Sequence, residues 1–311
     1  MNLAIPDVRN LEIHPPAFGY LSTSCRRSTG PWGRNELGVP LLTNAIRDAA
    51  GLGYNFLSIA GEQSVFYPEL GELCREAHDA QMLTTLTTRA GLLSAGRLKT
   101  LVHSVDLLGI VFEKGMARDL DIVRRSGIPF VLVFSLTPAN MAELEPAAAF
   151  AARHGASMLH VRPSEEFSDH EMATVWMMIE CLRDVHRGEL ALQFEVLNRY
   201  HLPFDASDLE GWLAGVREDC RFLGDLISPM VIEEDGTVSP LRPEFPRWLA
   251  LGNLCESTIA EMAPAWIRDG AESFCGIYRT VLREARLFDD LNRLLAEEAG
   301  RQRGARFSAA G

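Results

Sequence analysis

Paired cysteines are missing from this 311-residue chain. Its six cysteines, Cys25, Cys74, Cys181, Cys220, Cys255 and Cys275, are scattered, and no two share CxxC or CxxxC spacing. That excludes the dense disulfide framework of a small secreted domain and leaves each cysteine other than Cys25 to be read as a small buried hydrophobe. No run of about 18 apolar residues occurs, so no membrane-spanning helix is expected. The opening residues lack a basic start followed by an apolar stretch, which points to a cytoplasmic protein. Positive charge is also short. Thirty Lys and Arg against 42 Asp and Glu leave a formal charge of −12, a field that repels phosphate backbones and argues against a nucleic acid partner. Glycine-rich phosphate loops, a Ser/His/Asp elbow and an HExxH helix are likewise absent, so no ready-made catalytic motif presents itself.

What the chain does contain is a regular alternation. Short apolar runs recur between helical patterns through its centre, the pattern of β/α units on a parallel sheet. The spacing predicts strands over 55–60, 82–87, 106–112, 129–136, 157–162 and 191–196, preceded by an opening strand at LEIHP. Helices are expected to begin near Val39, Pro68, Ser94, Ala117, Asn140 and Asp169. Thr137 with Asn140, and Ser168 with Glu171, carry helix N-terminal chemistry. The count predicts a partial (β/α)6 TIM-like barrel over 1–225. The pair Asp235-Gly236 between two apolar runs then signals a β-hairpin, and helices over 257–268 and 271–299 complete a C-terminal extension spanning 226–299. Residues 300–311 read as a flexible tail.

In such a barrel the functional side chains gather at the C-terminal ends of the strands. That rule selects Thr87, Glu113, His160, Arg162 and Glu195, with Thr85 and Ser135 beside them. His160 and Arg162 alternate on one strand and so share a face. With Glu195 on the next strand they offer an anionic ligand or a peptide carboxylate a bidentate fork and a switchable donor, or else form a satisfied polar plug. The acidic run from Glu165 to Glu171 sits at a helix start, where carboxylates complement the macrodipole and cap the helix. No metal site is expected there.

The order and spacing of several segments resemble the radical S-adenosylmethionine (radical SAM) family. LEIHPPAFGYLSTSCRRSTGP resembles its opening strand and C-x3-C-x2-C triplet, whose positions fall here on Phe18, Ser22 and Cys25. AAGLGYNFLSIAGEQSVFYPELGELCREA resembles the second β/α unit, where a Gly-Gly-Glu-Pro tract receives the amino group of S-adenosylmethionine. Anchored on Tyr67-Pro68, that tract falls on Gly61, Glu62, Gln63 and Ser64. Without gaps Gln63 takes the acidic place, and a one-residue shift gives it to Glu62. LTTLTTRAGLLS and VDLLGIVFEKG are similar to the next two strands, the second with a shortened loop. The VIEEDGTVSPL and ALGNL segments resemble the hairpin region beyond the barrel. The family's cluster is held by three thiolates, so the resemblance implies a degenerate member with no 4Fe–4S cluster and little S-adenosylmethionine binding, a chain expected to need no cofactor. The role so implied is a pseudoenzyme in peptide or natural-product maturation. As homo- or heterodimer, it would present a peptide or small precursor to an active radical SAM enzyme. Two alternatives stay open: a repurposed barrel with cluster-independent chemistry, and an atypical enzyme that retains S-adenosylmethionine or a cluster.

Overall fold

A computed structural model of the chain describes residues 8–14, 37–61, 63–67, 69–164, 166–196, 208–286 and 289–308. Seven strands alternate with helices: β1 (Asn10–Ile13), α1 (Val39–Gly51), β2 (Phe56–Ile59), α2 (Leu70–Asp79), β3 (Leu83–Arg89), α3 (Ala95–Leu101), β4 (Leu107–Val111), α4 (Ala117–Ser126), β5 (Phe130–Leu136), α5 (Leu144–His154), β6 (Met158–Pro163), α6 (Asp169–Val185) and β7 (Ala191–Phe194). There follow α7 (Leu209–Glu218), α8 (Leu223–Leu226), β8 (Met230–Ile232), β9 (Thr237–Pro240), β10 (Gly252–Asn253), α9 (Ile259–Asp269), α10 (Ala271–Glu284) and α11 (Leu291–Ser308).

The described strands make one sheet in the order β10-β9-β8-β1-β2-β3-β4-β5-β6-β7, parallel from β8 through β7. Consecutive parallel strands that step in one direction through right-handed crossovers leave their helices on one face of the sheet. Alternate strand residues obey that geometry. Leu11, Ile13, Leu57, Ile59, Leu86, Leu108, Ile110, Leu132, Leu159 and Val161 are all fully buried in the main apolar cluster with the helices. The predicted strands, including β7 within 191–196, and the partial (β/α)6 barrel are therefore present. The sheet ends at β7 and β10 and does not close on itself.

An open edge invites pairing with another chain unless its backbone groups are occupied. On β7, Arg183 Nε donates to the Leu192 carbonyl at 3.1 Å, and Val196 N donates to the Phe194 carbonyl at 2.9 Å. Both carbonyls are thereby withdrawn from the edge.

The hairpin forms where Asp235-Gly236 places it. Glu233 N donates to Thr237 O and Gly236 N to Glu233 O, each at 2.9 Å, with Gly236 at φ +83° as this turn requires. Its first strand, β8, pairs with β1 and so extends the barrel's own sheet. The C-terminal helices depart from expectation. The helix predicted over 271–299 is two helices, because Asp290 accepts a hydrogen bond from Asn292 N (3.0 Å) and caps a new start, while Asp289 accepts from Arg286 N (2.7 Å) after α10 has ended. The second, α11, continues to Ser308 where the sequence suggests a tail. Sequence reasoning also passed over α7, α8 and β10.

The N-terminal end of the barrel is tied to α8. Arg9 holds Asp225 through Nε to Oδ1 at 2.5 Å and Nη2 to Oδ2 at 2.9 Å, and the Tyr54 hydroxyl donates to Ile227 O at 2.8 Å. Burial pushes the Tyr54 phenol up, so it stays a donor. Cys74 and Cys275 are buried, with thiols pushed up by burial to about 12 and about 11. Cys181 and Cys255 are exposed, which corrects their reading as core residues.

Candidate functional site

The sheet face turned away from the helices is polar. Strand register groups its residues into rows: Glu12, Ser58 and Thr85 in one; Thr87, Gly109, Val131 and Met158 in the next; then Arg89, Val111, Val133, His160 and Gln193; finally Ser135 and Arg162. Val131 and Val133 are buried yet lie outside the main apolar cluster, consistent with a different face. The rows climb toward the C-terminal ends of the strands, where the charges collect.

The densest group is His160, Arg162 and Glu195. Arg162 Nε donates to Glu195 Oε2, and His160 Nε2 lies 3.2 Å from the same oxygen. One carboxylate oxygen thus serves two cationic or donor groups from the neighbouring strand. The side chains remain 18%, 40% and 48% exposed for His160, Arg162 and Glu195. Crowding by surrounding atoms pushes the Glu195 carboxyl up, but the nearby His160 Nε2 and the Arg162 charge outweigh it and hold the group below its ordinary value. A lowered carboxylate pKa adds stability above the unfolded-state value, and that stability disappears as pH falls through the folded-state value. The stability difference between wild type and Glu195→Gln is therefore expected to be largest at neutral pH. It should shrink below about pH 4.3, the ordinary glutamate value, in urea titrations at stepped pH. A difference that grows on acidification would contradict this assignment of charge.

Further along the strand ends, Arg89 Nη1 meets Glu113 Oε1 at 3.3 Å, and Lys114 Nζ meets Glu143 Oε1 at 2.7 Å. Thr87 stands beside Gly109, where an added Cβ would lie 2.8 Å from Thr87 Oγ1. The bare glycine is what makes room for that hydroxyl. At the foot of the same face, Thr85 Oγ1 donates to Ser58 Oγ at 3.3 Å. On β1 and just past it, His14 Nε2 lies 2.6 Å from Glu12 Oε1.

After β2 the chain turns through Gly61. Ser64 N donates to Gly61 O at 3.0 Å, the Ser64 hydroxyl donates to Ala60 O, and Gln63 is exposed. Glu62 lies outside the described residues, as do Phe18, Ser22 and Cys25. Of the acidic run, Glu165 and the side chain of Asp169 are likewise outside them. Glu171 caps α6 through Ser168 N at 2.8 Å and Ser168 Oγ at 2.6 Å. The structure brings together His160, Arg162 and Glu195, as their spacing suggests, and keeps Thr87 and Glu113 as separate neighbours on the same edge. Sequence reasoning missed Arg89 and Glu12. Period-2 counting finds both, Arg89 from Thr85 and Thr87, and Glu12 from His14.

A partial (β/α) barrel, open among the described strands, is the class that this sheet order defines. No protein-family model and no curated protein matches the chain. Solved structures do match. SuiB of Streptococcus suis bound to S-adenosylmethionine is 14% identical with a TM-score of 0.61, covering 87% of this chain and 67% of that one. SuiB bound to its precursor peptide SuiA gives the same identity and score over 87% and 66%. Native anSMEcpe with bound S-adenosylmethionine and the Kp18Cys peptide is 12% identical with a TM-score of 0.56 over 97% and 98%. At these identities the likeness is one of fold.

These structures correct the expectation that the chain needs no cofactor, because the solved proteins sharing its fold hold S-adenosylmethionine. That expectation rested on counting thiols, whereas an amino acid joined to a nucleoside is also held by amides, hydroxyls and backbone groups at strand ends. Residues of those kinds are present here in Ser58, Thr85, Thr87, Gln63 and Ser64. Among the described residues no three His, Cys, Asp or Glu side chains group to hold a metal ion, and none of the described helices is long and apolar enough to cross a membrane.

Proposed function

We propose that this chain is a precursor-binding accessory protein of peptide modification, receiving a peptide or small precursor at the strand ends and presenting it to an active radical SAM enzyme. The observation that carries the reading is the Arg162, Glu195 and His160 cluster, half open to solvent at the C-terminal edge of the sheet. The likeness in fold to SuiB with SuiA and to anSMEcpe with Kp18Cys supports a peptide as the occupant. In this reading S-adenosylmethionine lies against the loop from Gly61 to Ser64. The Gln63 amide there takes the place of a charged anchor, accepting a hydrogen bond from an ammonium group through its carbonyl oxygen. The hydroxyls of Ser58, Thr85 and Thr87 line the floor between that loop and the charged edge. Arg162 orients the precursor, and Glu195, beside His160, holds Arg162 in place while the site is empty.

Display selection of a random peptide library on the purified chain tests this directly. Selected peptides are expected to bind Arg162→Ala more than tenfold more weakly, while the variant, altered at a 40% exposed side chain, melts close to wild type. Equal binding to the two proteins would remove the strand-end cluster from the binding role.

A further inference from the structure

The Glu195 carboxylate sits where a ligand carboxylate would dock. It reaches Arg162 from the neighbouring strand end, and it uses one oxygen for both Arg162 Nε and His160 Nε2. The two Nη groups of Arg162 find no hydrogen-bond partner among the described residues, so more than half of the guanidinium's five donors remain for another acceptor. The Glu195 side chain is also 48% exposed, which leaves room for it to turn toward solvent. The pair therefore combines a receptive fork with an exchangeable anion. The second pair on this edge, Arg89 with Glu113, is held by a longer contact of 3.3 Å.

Resting on the reading of this edge as a peptide site, we propose that Glu195 is an internal stand-in for an acidic group of the precursor. The incoming carboxylate takes over the Arg162 fork, Glu195 swings aside onto His160, and the site selects peptides bearing an aspartate, a glutamate or a free C-terminus. The stand-in keeps Arg162 neutralised and oriented in the empty state. It also competes with the ligand, and that competition distinguishes it from a structural salt bridge. Removing a structural partner weakens binding, whereas removing a competitor strengthens it.

The test uses two synthetic peptide pools, randomised apart from a central glutamate in one and a central glutamine in the other, with retention measured on the full chain. The wild type is expected to retain the glutamate pool about tenfold better, the ratio expected of a charge-assisted Arg contact. Glu195→Gln, isosteric but uncharged, is expected to raise retention of the glutamate pool about fivefold and leave the glutamine pool unchanged. Arg162→Gln should abolish the preference. On the wild-type chain alone, succinate should displace the glutamate pool and succinamide should not, a readout that survives if a variant folds poorly. Equal retention of both pools would overturn the exchange while keeping the peptide site, and retention of neither would overturn both. Weaker glutamate binding by Glu195→Gln would make Glu195 a structural partner and end the proposal.

Discussion

Replacing Phe274 by alanine is expected to cost about 3 to 5 kcal/mol of folding stability. Phe274 is fully buried in α10 and forms the centre of an aromatic group, with ring centroids 5.5 Å from Trp266, 5.2 Å from Tyr278 and 6.2 Å from Phe245. The Trp266 and Tyr278 contacts are edge-on, the favoured arrangement for aromatic quadrupoles. Three elements meet on this one ring: α9, α10, and the segment after β9 through Phe245, with Trp266 also fixed to Leu249 O by its indole N–H at 2.8 Å. Truncation removes the ring and leaves a void that these fixed neighbours are poorly able to fill. Phe274→Leu keeps most of the volume and should cost about 1.5 kcal/mol or less. Urea unfolding with an unchanged m-value decides the matter. A loss under about 1 kcal/mol for the alanine variant would mean that the C-terminal helices collapse onto the gap and are less rigidly arranged than the ring geometry implies.

The second large effect is expected at the pair joining Arg9 to Asp225 of α8. Asp225→Ala strips the partner from Arg9, whose side chain is only 22% exposed against 11% for Asp225. Removing one member of a buried pair leaves an uncompensated charge and costs about 3 to 5 kcal/mol when burial is complete. Partial exposure of Arg9 reduces the expectation to about 2 to 3 kcal/mol. The Arg9 stem also lies against Gly224, where an added Cβ would come within 2.7 Å of Arg9 Cδ, so the guanidinium has little room to swing toward water. Arg9→Met with Asp225→Ala should cost less than the two single losses added together, because the stranded charge is then gone. Additive losses would show that the two groups are not coupled, and that the hydrogen bonds of Tyr54 and Ser228 with apolar packing hold α8 in place.

The sequence was most readable where a period repeats. The strands predicted by spacing are present because each carries β-branched or leucine residues on its helix side at period 2, a pattern local to the strand. Ser94, Ser168 and the Asp235-Gly236 turn were also readable, since a cap or a two-residue turn is decided within a few residues. The break between α10 and α11 was not. Residues 271–299 are mostly helix-favouring, and the interruption comes where Asp290 accepts from Asn292 N and caps a new start. Nor did the cysteine pattern decide the cofactor. It concerns three positions, whereas the fold shared with the S-adenosylmethionine-bound proteins is set by the whole sheet.

At the candidate site, alternation alone placed His160 and Arg162 on one face, because successive residues of a strand must point to opposite sides. That Glu195 reaches both of them, and that one of its oxygens is shared, depended on the register between β6 and β7, where His160 stands opposite Gln193. Register is a long-range property, set by how two strands separated by a whole helix pack their apolar faces. The same distinction holds for the chain as a whole. By itself the sequence determined the succession of strands and helices, the hairpin turn and which residues alternate onto the polar face, since each follows from short-range sterics and local burial. The tertiary structure alone decided that β8 joins β1, that Arg9 meets Asp225, that Arg89 meets Glu113, and that Arg162 and His160 share Glu195. Those contacts join residues far apart along the chain, and only packing of the completed core brings them within reach.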